Sequence, residues 1–322
     1  MMMGYFGKEK SASLHSQFQR RITDREFMSM EPERRLSILR SHISKMPPLS
    51  PTVSKVLALC NKRDASPVEL NRVISMDPVL TGNVLRLINS AYYGLSQKVT
   101  SVVRAITMLG INTVRNLLLS TAVLGALGNR KNFDSLDSAQ FWEHSLAAGV
   151  AARLIAVKHR VPLDQVEGYF IAGLLHDVGK IPLNNRFAEE FKTALHLADE
   201  KGQALFKAEQ EIFGLDHAAI GKLIAEKWGL GEEISDTIAF HHTPADYSGS
   251  HKNFVYLVTL ADYFVNTLRI GFSGNLHRVE IPPEVLNYLK SNLGLTLQII
   301  ETIIKELSQE VEKSRVFLTL TQ

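Results

Sequence analysis

Helical periodicity is the feature that most constrains the fold of this chain. From residue 32 onward, apolar side chains recur three and four positions apart, as Leu36, Leu39 and Ile43 do in the first such stripe. Stripe follows stripe through residues 32–128 with short connections and without the apolar–polar alternation of strands. The sequence therefore predicts an all-α protein in which each helix buries one face against its neighbours.

Start and stop signals divide this pattern into individual helices. Ser66 and Asp77 each precede a proline, which is typical of a helix N-terminus, and Gly110 is a typical helix end. A polar, turn-rich stretch at 128–132 separates two helical lobes. We predict an N-terminal arm at 1–31, a first helical lobe at 32–128, a second lobe at 129–275 and C-terminal helices packing on the body at 276–322.

Composition excludes several classes of protein. With 45% hydrophobic and 21% charged residues, the 322-residue chain can bury a substantial core. A net charge of only +3 gives no broad basic surface for nucleic acid. The single cysteine, Cys60, excludes an internal disulfide, which is typical of proteins in a reducing cytosol. Cys60 itself is expected to be a small buried residue on a helix.

Membrane and export signals are not evident in the sequence. The most apolar run, Leu117 to Leu127, is interrupted by polar residues and is shorter than the roughly 20 residues that span a bilayer. The stretch from Met1 to Phe6 is too short for the apolar region of a signal peptide. We therefore expect a cytoplasmic protein without a membrane partner.

The most unusual local pattern is an apolar helix that ends in polar groups, at Phe170 to Lys180. His176 offers a neutral nitrogen, and the carboxylate of Asp177 can bridge two cations. Gly179 allows backbone or ligand to approach closely. Lys180 offers a fixed positive charge for an anion such as phosphate. The alternative for Lys180 is a solvated lysine just past a helix end.

Further polar groups interrupt apolar helical segments of the second lobe. Any one of the histidines is more often a satisfied core or surface residue, but an acid such as Asp262 among apolar neighbours is costly to bury unless it is paired or metal-bound. Together they predict a shared site of seven side chains: His144, His176, Asp177, His217, His241, His242 and Asp262.

Nitrogen and carboxylate ligands without cysteine suit Fe, Mn, Ni or Zn rather than Ca or Mg alone. A carboxylate shared by two cations produces a two-metal site, which can generate a hydroxide and clamp a phosphoryl group. Lys180 would then lie close enough to neutralise developing charge. We predict one or two divalent transition-metal ions and a phosphoester or nucleotide ligand.

The order His144, His176-Asp177, Asp262 resembles the H…HD…D signature of the HD superfamily of metal-dependent phosphohydrolases. The first lobe is similar to the HDOD family, the HD-related output domains of bacterial signalling, and the resemblance covers roughly residues 40–265. This resemblance implies an all-helical, two-lobed fold whose second lobe is HD-like. The segments that carry it in the first lobe are Met46–Pro51, Ile74–Pro78, Leu85–Ala91 and Ala105–Gly110.

A second resemblance is partial. His217, His241 and His242 are similar to additional ligands of the HD-GYP branch, which hydrolyses cyclic dinucleotides. The GYP tripeptide is missing after His242, and Gln140 stands where some members of that branch have a metal-binding Glu. Specific hydrolysis of cyclic di-GMP is therefore not implied.

These resemblances imply a phosphodiesterase that holds one ion with His144, His176, Asp177 and Asp262. A second ion would be held by His217, His241 and His242 together with the shared Asp177. Asp177 and Lys180 would be the catalytic residues. The alternative is a non-catalytic regulatory or scaffold module that binds a protein partner in signalling, as in HDOD members that have lost the metal ligands.

Overall fold

The computed structural model describes residues 30–60, 66–127, 133–277 and 280–320. In these ranges every regular element is a helix, which confirms the all-α prediction. Most of the predicted N-terminal arm and the predicted boundary stretch 128–132 lie outside the described residues. None of the described helices has both the length and the apolar character needed to cross a membrane.

Six helices form the N-terminal part of the structure. The helix-start signals are confirmed, because the side chain of Ser66 accepts the N–H of Glu69 and that of Asp77 accepts the N–H of Leu80. Cys60, expected to be buried, is the last residue of its helix and is only half-buried. The helices are α1 (Pro32–Lys45), α2 (Pro51–Cys60), α3 (Pro67–Ile74), α4 (Pro78–Ile88), α5 (Val102–Leu109) and α6 (Ile111–Leu127).

Ten further helices follow, arranged around a central one. Helix α7 is buried over most of its length because it packs against the next helix, α8, and against α14 and α16. The helices are α7 (Ser138–Lys158), α8 (Leu163–Leu175), α9 (Lys180–Arg186), α10 (Ala188–Glu200), α11 (Leu205–Phe213), α12 (His217–Trp228), α13 (Glu232–Phe240), α14 (Lys252–Leu268), α15 (Pro283–Leu293) and α16 (Leu297–Ser314). Short 3₁₀ helices lie at Pro244–Asp246 and Arg315–Leu320.

Glycine allows α7 and α8 to pack with their backbones almost in contact. A Cβ atom at Gly173 would lie 2.7 Å from the carbonyl oxygen of Ala148, and one at Gly149 would lie 2.7 Å from that of Phe170. Only glycine fits at both positions. This close packing brings the C-terminal end of α8 beside α7, and both helices carry predicted ligands.

The two helical groups are joined at three places. Helix α6 of the first group packs on α8 of the second. Helix α1 packs on α11 and α12, where Lys227 Nζ donates hydrogen bonds to carbonyl oxygens of Ile43, Ser44 and Met46 at 2.8, 2.7 and 2.7 Å. The C-terminal segment buries Phe317 between Tyr92 and Phe170. The predicted lobe boundaries themselves stay a prediction.

Candidate metal centre

The helices bring all seven predicted ligands to one place. His144 projects from the second turn of α7, and His176 and Asp177 follow directly after α8. His217 is the first residue of α12, where the side chain of Asp216 caps the helix. His241 and His242 follow α13, and Asp262 lies within α14. Because α8, α12 and α13 end or begin at the cluster, their termini aim the side chains at a common point.

Asp177 occupies the centre of the cluster. Its Oδ2 lies 3.7 Å from His144 Nε2 and 3.4 Å from His176 Nε2. Its Oδ1 lies 3.1 Å from His217 Nε2 and 3.8 Å from His241 Nε2. One carboxylate oxygen therefore faces each pair of imidazoles, which is the arrangement that a bridging carboxylate requires.

Two groups of potential ligands share this aspartate. In each group the donor atoms lie within 4.8 Å of one another. Asp262 supplements the first group, since its Oδ1 lies 3.1 Å from His144 Nε2 and 3.4 Å from His176 Nε2. The first group consists of His144, His176 and Asp177, and the second of Asp177, His217, His241 and His242.

The imidazole rings are oriented by hydrogen bonds on their outer side. The Nδ1 atom of His176 lies 2.6 Å from the carbonyl oxygen of Gly173, and that of His241 lies 2.8 Å from the carbonyl oxygen of Ile238. A carbonyl can only accept, so Nδ1 carries the proton and Nε2 presents a lone pair to the cluster. This is the state in which histidine binds a metal.

Glu209 was not identified from the sequence and is the corresponding partner of His217. It is fully buried on α11, and its Oε2 lies 2.5 Å from His217 Nδ1 and accepts the backbone N–H of His217 at 2.8 Å. The same helix buries Leu205 and Ile212, four residues before and three after Glu209. An acid on the apolar face of a helix was the signal that could have revealed it.

Lys180 is turned toward the cluster. Its side chain has no exposed surface, and Nζ donates a hydrogen bond to Asp177 Oδ2 at 2.7 Å and to Ser273 Oγ at 3.3 Å. The alternative interpretation of a solvated lysine is therefore wrong. The predicted contact between Lys180 and a phosphate stays a prediction. Asn266, also missed in the sequence, donates to Asp262 Oδ1 at 2.7 Å.

Gly179 provides the close approach that the sequence predicted. A Cβ atom there would lie 1.9 Å from the carbonyl oxygen of His217 and 2.6 Å from the backbone nitrogen of Gly221. The start of α9 is thus in direct backbone contact with α12. Because Asp177 is only two residues before Gly179, this contact also fixes His217 beside Asp177.

Unpaired polar atoms test whether these residues fit a metal ion. In the described part of the chain, His144 Nε2, His176 Nε2, His241 Nε2 and Asp177 Oδ1 are buried without a hydrogen-bond partner. Buried polar atoms are almost always hydrogen-bonded, so four orphans converging on one point require an explanation. Divalent cations in the two ligand groups would satisfy all four atoms, and imidazole and carboxylate are suitable ligands for transition metals.

The pKa values of two cluster histidines also indicate that the cluster attracts positive charge. Burial alone would lower the pKa of His176, but the charge of Asp177 and hydrogen bonds with Asp177 and Asp262 raise it to about 10. Burial likewise opposes the charge of Glu209, which raises the pKa of His217 to about 9. Two protons therefore take the place of a cation when no metal is bound.

His241 and His242 have lowered pKa values instead. Burial and the neighbouring charges of His176 and His217 lower the pKa of His241 to about 3. Burial together with His241 and His217 holds the pKa of His242 well below its ordinary value. Both rings are therefore neutral at pH 7, which keeps their nitrogens available as ligands.

A narrow cleft opens onto the cluster. Asp262 and His242 form its inner end, whereas His144, His176 and Asp177 lie behind them, fully buried. The walls combine apolar and hydrogen-bonding side chains with one acid, Glu280, and include Tyr263, Asn266, Asn275, His277, Ile281 and Pro282. A small polar ligand can reach the candidate ligands from this side.

Relatives of the chain are known mainly as uncharacterised proteins. A protein of Treponema pallidum (strain Nichols) is 22% identical over 254 residues, which are 78% of this chain and 47% of the relative. YuxH of Bacillus subtilis (strain 168) is 27% identical over 168 residues, 51% of this chain and 38% of the relative. The chain thus spans less than half the length of these relatives.

Solved structures share the fold. An HDOD domain protein of unknown function from Geobacter sulfurreducens has a TM-score of 0.72 at 26% identity, over 88% of this chain and 98% of that one. A candidate phosphohydrolase from Shewanella amazonensis SB2B has a TM-score of 0.65 at 22% identity, over 88% and 98%. A candidate signal transduction protein from Marinobacter aquaeolei VT8 has a TM-score of 0.68 at 20% identity, over 93% and 68%.

The model of the HDOD domain matches residues 46–244, more than half of the chain. The match begins at the C-terminal end of α1 and extends through His241 and His242, so it spans both helical groups and all the candidate ligands except Asp262. The chain belongs to the HDOD family.

Proposed function

We propose that the chain is a metal-dependent phosphohydrolase, of the phosphodiesterase type, that acts in signal transduction. The observation that carries the proposal is the position of Asp177, whose two carboxylate oxygens each face a separate pair of imidazoles. A carboxylate shared in this way, behind the residues that line an open cleft, is what a two-metal site for phosphoryl chemistry requires. Iron, manganese, nickel or zinc suits the ligands.

The residues divide into two ligand sets. His144, His176 and Asp262 would hold one ion, the three histidines at 217, 241 and 242 would hold the other, and Asp177 would serve both. When bound, the ions supply a nucleophilic hydroxide and neutralise charge on a phosphoryl oxygen.

The protein itself positions and desolvates these groups. Glu209 and the carbonyl oxygens of Gly173 and Ile238 hold three imidazoles with Nε2 facing inward. Asn266 fixes the carboxylate of Asp262. Asn275 and His277, which line the cleft together with Asn266, can donate hydrogen bonds to a phosphoester there. Fixed donors of this kind lower the cost of reorganisation during the reaction.

An open approach argues for catalysis rather than a purely structural ion. Structural metal sites are closed by four protein ligands, whereas catalytic sites leave a position for water or substrate. Here His241, His242 and Asp262 border the cleft, while His144, His176 and Asp177 are buried behind them. A ligand in the cleft would therefore meet both ligand sets.

Turnover is the direct test. The purified protein, loaded with Mn²⁺ or Fe²⁺, is assayed on a generic phosphodiester, on nucleotides and on cyclic dinucleotides. We expect activity that Asp177→Ala abolishes and that Asp164→Ala leaves intact, because Asp164 is an exposed acid at the other end of α8. Absence of turnover in the wild type would refute the enzymatic proposal, and activity that survives Asp177→Ala would come from a contaminant.

The second candidate is a regulatory module without catalysis that binds a protein partner. It is favoured by three exposed apolar side chains at the N-terminal ends of α3 and α4 and in the turn between them: Val68, Met76 and Val79, which are 70%, 68% and 74% exposed. Metal analysis separates the enzyme from a module whose site is vestigial, because such a module is expected to bind no transition metal and to show no phosphoester turnover.

A further inference from the structure

The charges of the cluster are few enough to count. Asp177, Asp262 and Glu209 each contribute one negative charge, and each lies within 3.1 Å of a cluster imidazole. Lys180 contributes one positive charge, 2.7 Å from Asp177 Oδ2. With neutral imidazoles, three negative charges and one positive charge leave a net charge of −2. This equals the charge that one divalent cation neutralises.

The positive charge of Lys180 is held in place within the cluster. Its side chain is fully buried, and its ammonium bonds to Asp177 and to Ser273, which lies in the segment following α14. The oxygen that it contacts, Asp177 Oδ2, is also the one that faces His144 and His176. The second oxygen, Oδ1, faces His217 Nε2 at 3.1 Å and His241 Nε2 at 3.8 Å. One side of the bridging carboxylate therefore already has a resident cation.

A second divalent ion would leave the buried cluster with a net charge of +2. Burying uncompensated charge is strongly unfavourable, so such an ion needs an accompanying anion. A phosphate group in the cleft can supply it, since Asp262 and His242 lie at its inner end. Inorganic phosphate carries close to two negative charges at neutral pH, which restores the balance.

We propose that Lys180 sets the metal stoichiometry of this site, so that the resting protein holds one divalent ion and a second ion binds only together with a phosphate group. This inference rests on the proposed function, because it requires the cluster to bind metal. Lys180 acts here as a positioning and charge-balancing residue on Asp177. Phosphate binding and the second metal ion are then coupled, and each raises the affinity for the other.

Counting bound Mn²⁺ tests the proposal without measuring activity. Full-length protein is titrated with Mn²⁺ by equilibrium dialysis, with and without inorganic phosphate at constant ionic strength, and electron paramagnetic resonance distinguishes isolated from paired ions. We expect one tightly bound Mn²⁺ per chain without phosphate and two with it. Lys180→Met removes the charge and keeps an apolar side chain, and we expect this variant to bind two ions without phosphate.

Lys158→Met is the matched control. Lys158 also pairs with a carboxylate, Glu306 at 2.9 Å, but on the outside of α7 and α16. We expect this variant to bind one ion and to respond to phosphate as the wild type does. If Lys180→Met does not fold, the phosphate dependence of the wild type still decides the question.

The outcomes separate this inference from the proposed function. Two tightly bound ions in the wild type without phosphate, or one ion at every phosphate concentration, would overturn the stoichiometry proposal and leave a metal-dependent enzyme intact. An unchanged count in a folded Lys180→Met protein would also overturn it. Complete absence of bound Mn²⁺, Fe²⁺, Ni²⁺ and Zn²⁺ would instead remove the metal site on which both proposals depend.

Discussion

Replacing Glu209 by glutamine isolates the outer support of the metal centre. The carboxylate Oε2 receives both the backbone N–H of His217, at 2.8 Å, and the proton on Nδ1 of its ring, at 2.5 Å. Glutamine has nearly the same shape but no negative charge, so both bonds lose their charge-assisted strength even where its oxygen takes the place of Oε2. If its amide nitrogen faces Nδ1, the ring proton moves to Nε2, and the lone pair that faces Asp177 is lost.

The expected loss of metal affinity can be estimated from the weakened support of His217. Loss of an outer-shell partner of a metal-binding histidine lowers metal affinity by about 10- to 100-fold. This corresponds to roughly 1.4 to 2.7 kcal/mol, since each tenfold change in affinity is about 1.4 kcal/mol. We expect the upper part of this range for Glu209→Gln, because the bond is short, fully buried and formed by a charged acceptor.

Metal titration in the presence of a competing chelator measures this change. The matched control is Glu211→Gln, two residues further along α11, because Glu211 is exposed and pairs with Lys201 and Gln203 outside the cluster. We expect the control to bind metal as the wild type does. Equal affinities for all three proteins, with Glu209→Gln correctly folded, would refute the assignment of His217 as a ligand.

Two further predictions concern packing and pH. We expect Gly179→Ala to lower the free energy of unfolding in urea by about 3 kcal/mol or more, because its Cβ would overlap the carbonyl oxygen of His217. In the control Gly82→Ala, in α4, the new Cβ meets nothing within 4 Å, and we expect it to stabilise the protein by about 0.5–1 kcal/mol. Equal effects of the two substitutions would contradict the packing of Gly179. In chelated protein, the raised pKa values of His176 and His217, about 10 and about 9, stabilise the fold fully below the unfolded value of 6.5, and this stabilisation is lost as the pH rises toward 10. The free energy of unfolding should therefore fall over that interval, and a flat profile would contradict the assigned shifts.

Local signals in the sequence were sufficient for the helices but not for their partners. Side-chain caps at Ser66 and Asp77 act on neighbouring residues, so their effect can be deduced without the fold. The stripe on α1 shows that one face is buried, but a stripe does not specify what covers it. Its packing on α11 and α12, secured by Lys227, depends on contacts more than 180 residues apart in sequence.

The convergence of the predicted ligands could be inferred because a polar side chain within an apolar helical segment needs a hydrogen-bond, ionic or metal partner when it is buried. Seven such groups were conspicuous, and the structure places them together, although their role as ligands stays a prediction. Glu209 was less conspicuous because it lies among charged neighbours on a short amphipathic helix. The position of Lys180 could not be deduced, since a long flexible side chain after a helix can point either way.

The buried charges of the centre are compensated within the protein, and this bears on the relation between metal and fold. Lys180 pairs with Asp177 and His217 with Glu209, whereas Asn266 donates a hydrogen bond to Asp262 without adding charge. When the ion is absent, protons on the imidazoles take over its charge, as the raised pKa values of His176 and His217 indicate. The helices therefore do not need the metal in order to pack. Binding then stabilises the protein only through mass action, by an amount that depends on ion concentration and affinity. A scaffold of this kind can keep its shape whether its centre catalyses a reaction or only supports a surface that binds a partner.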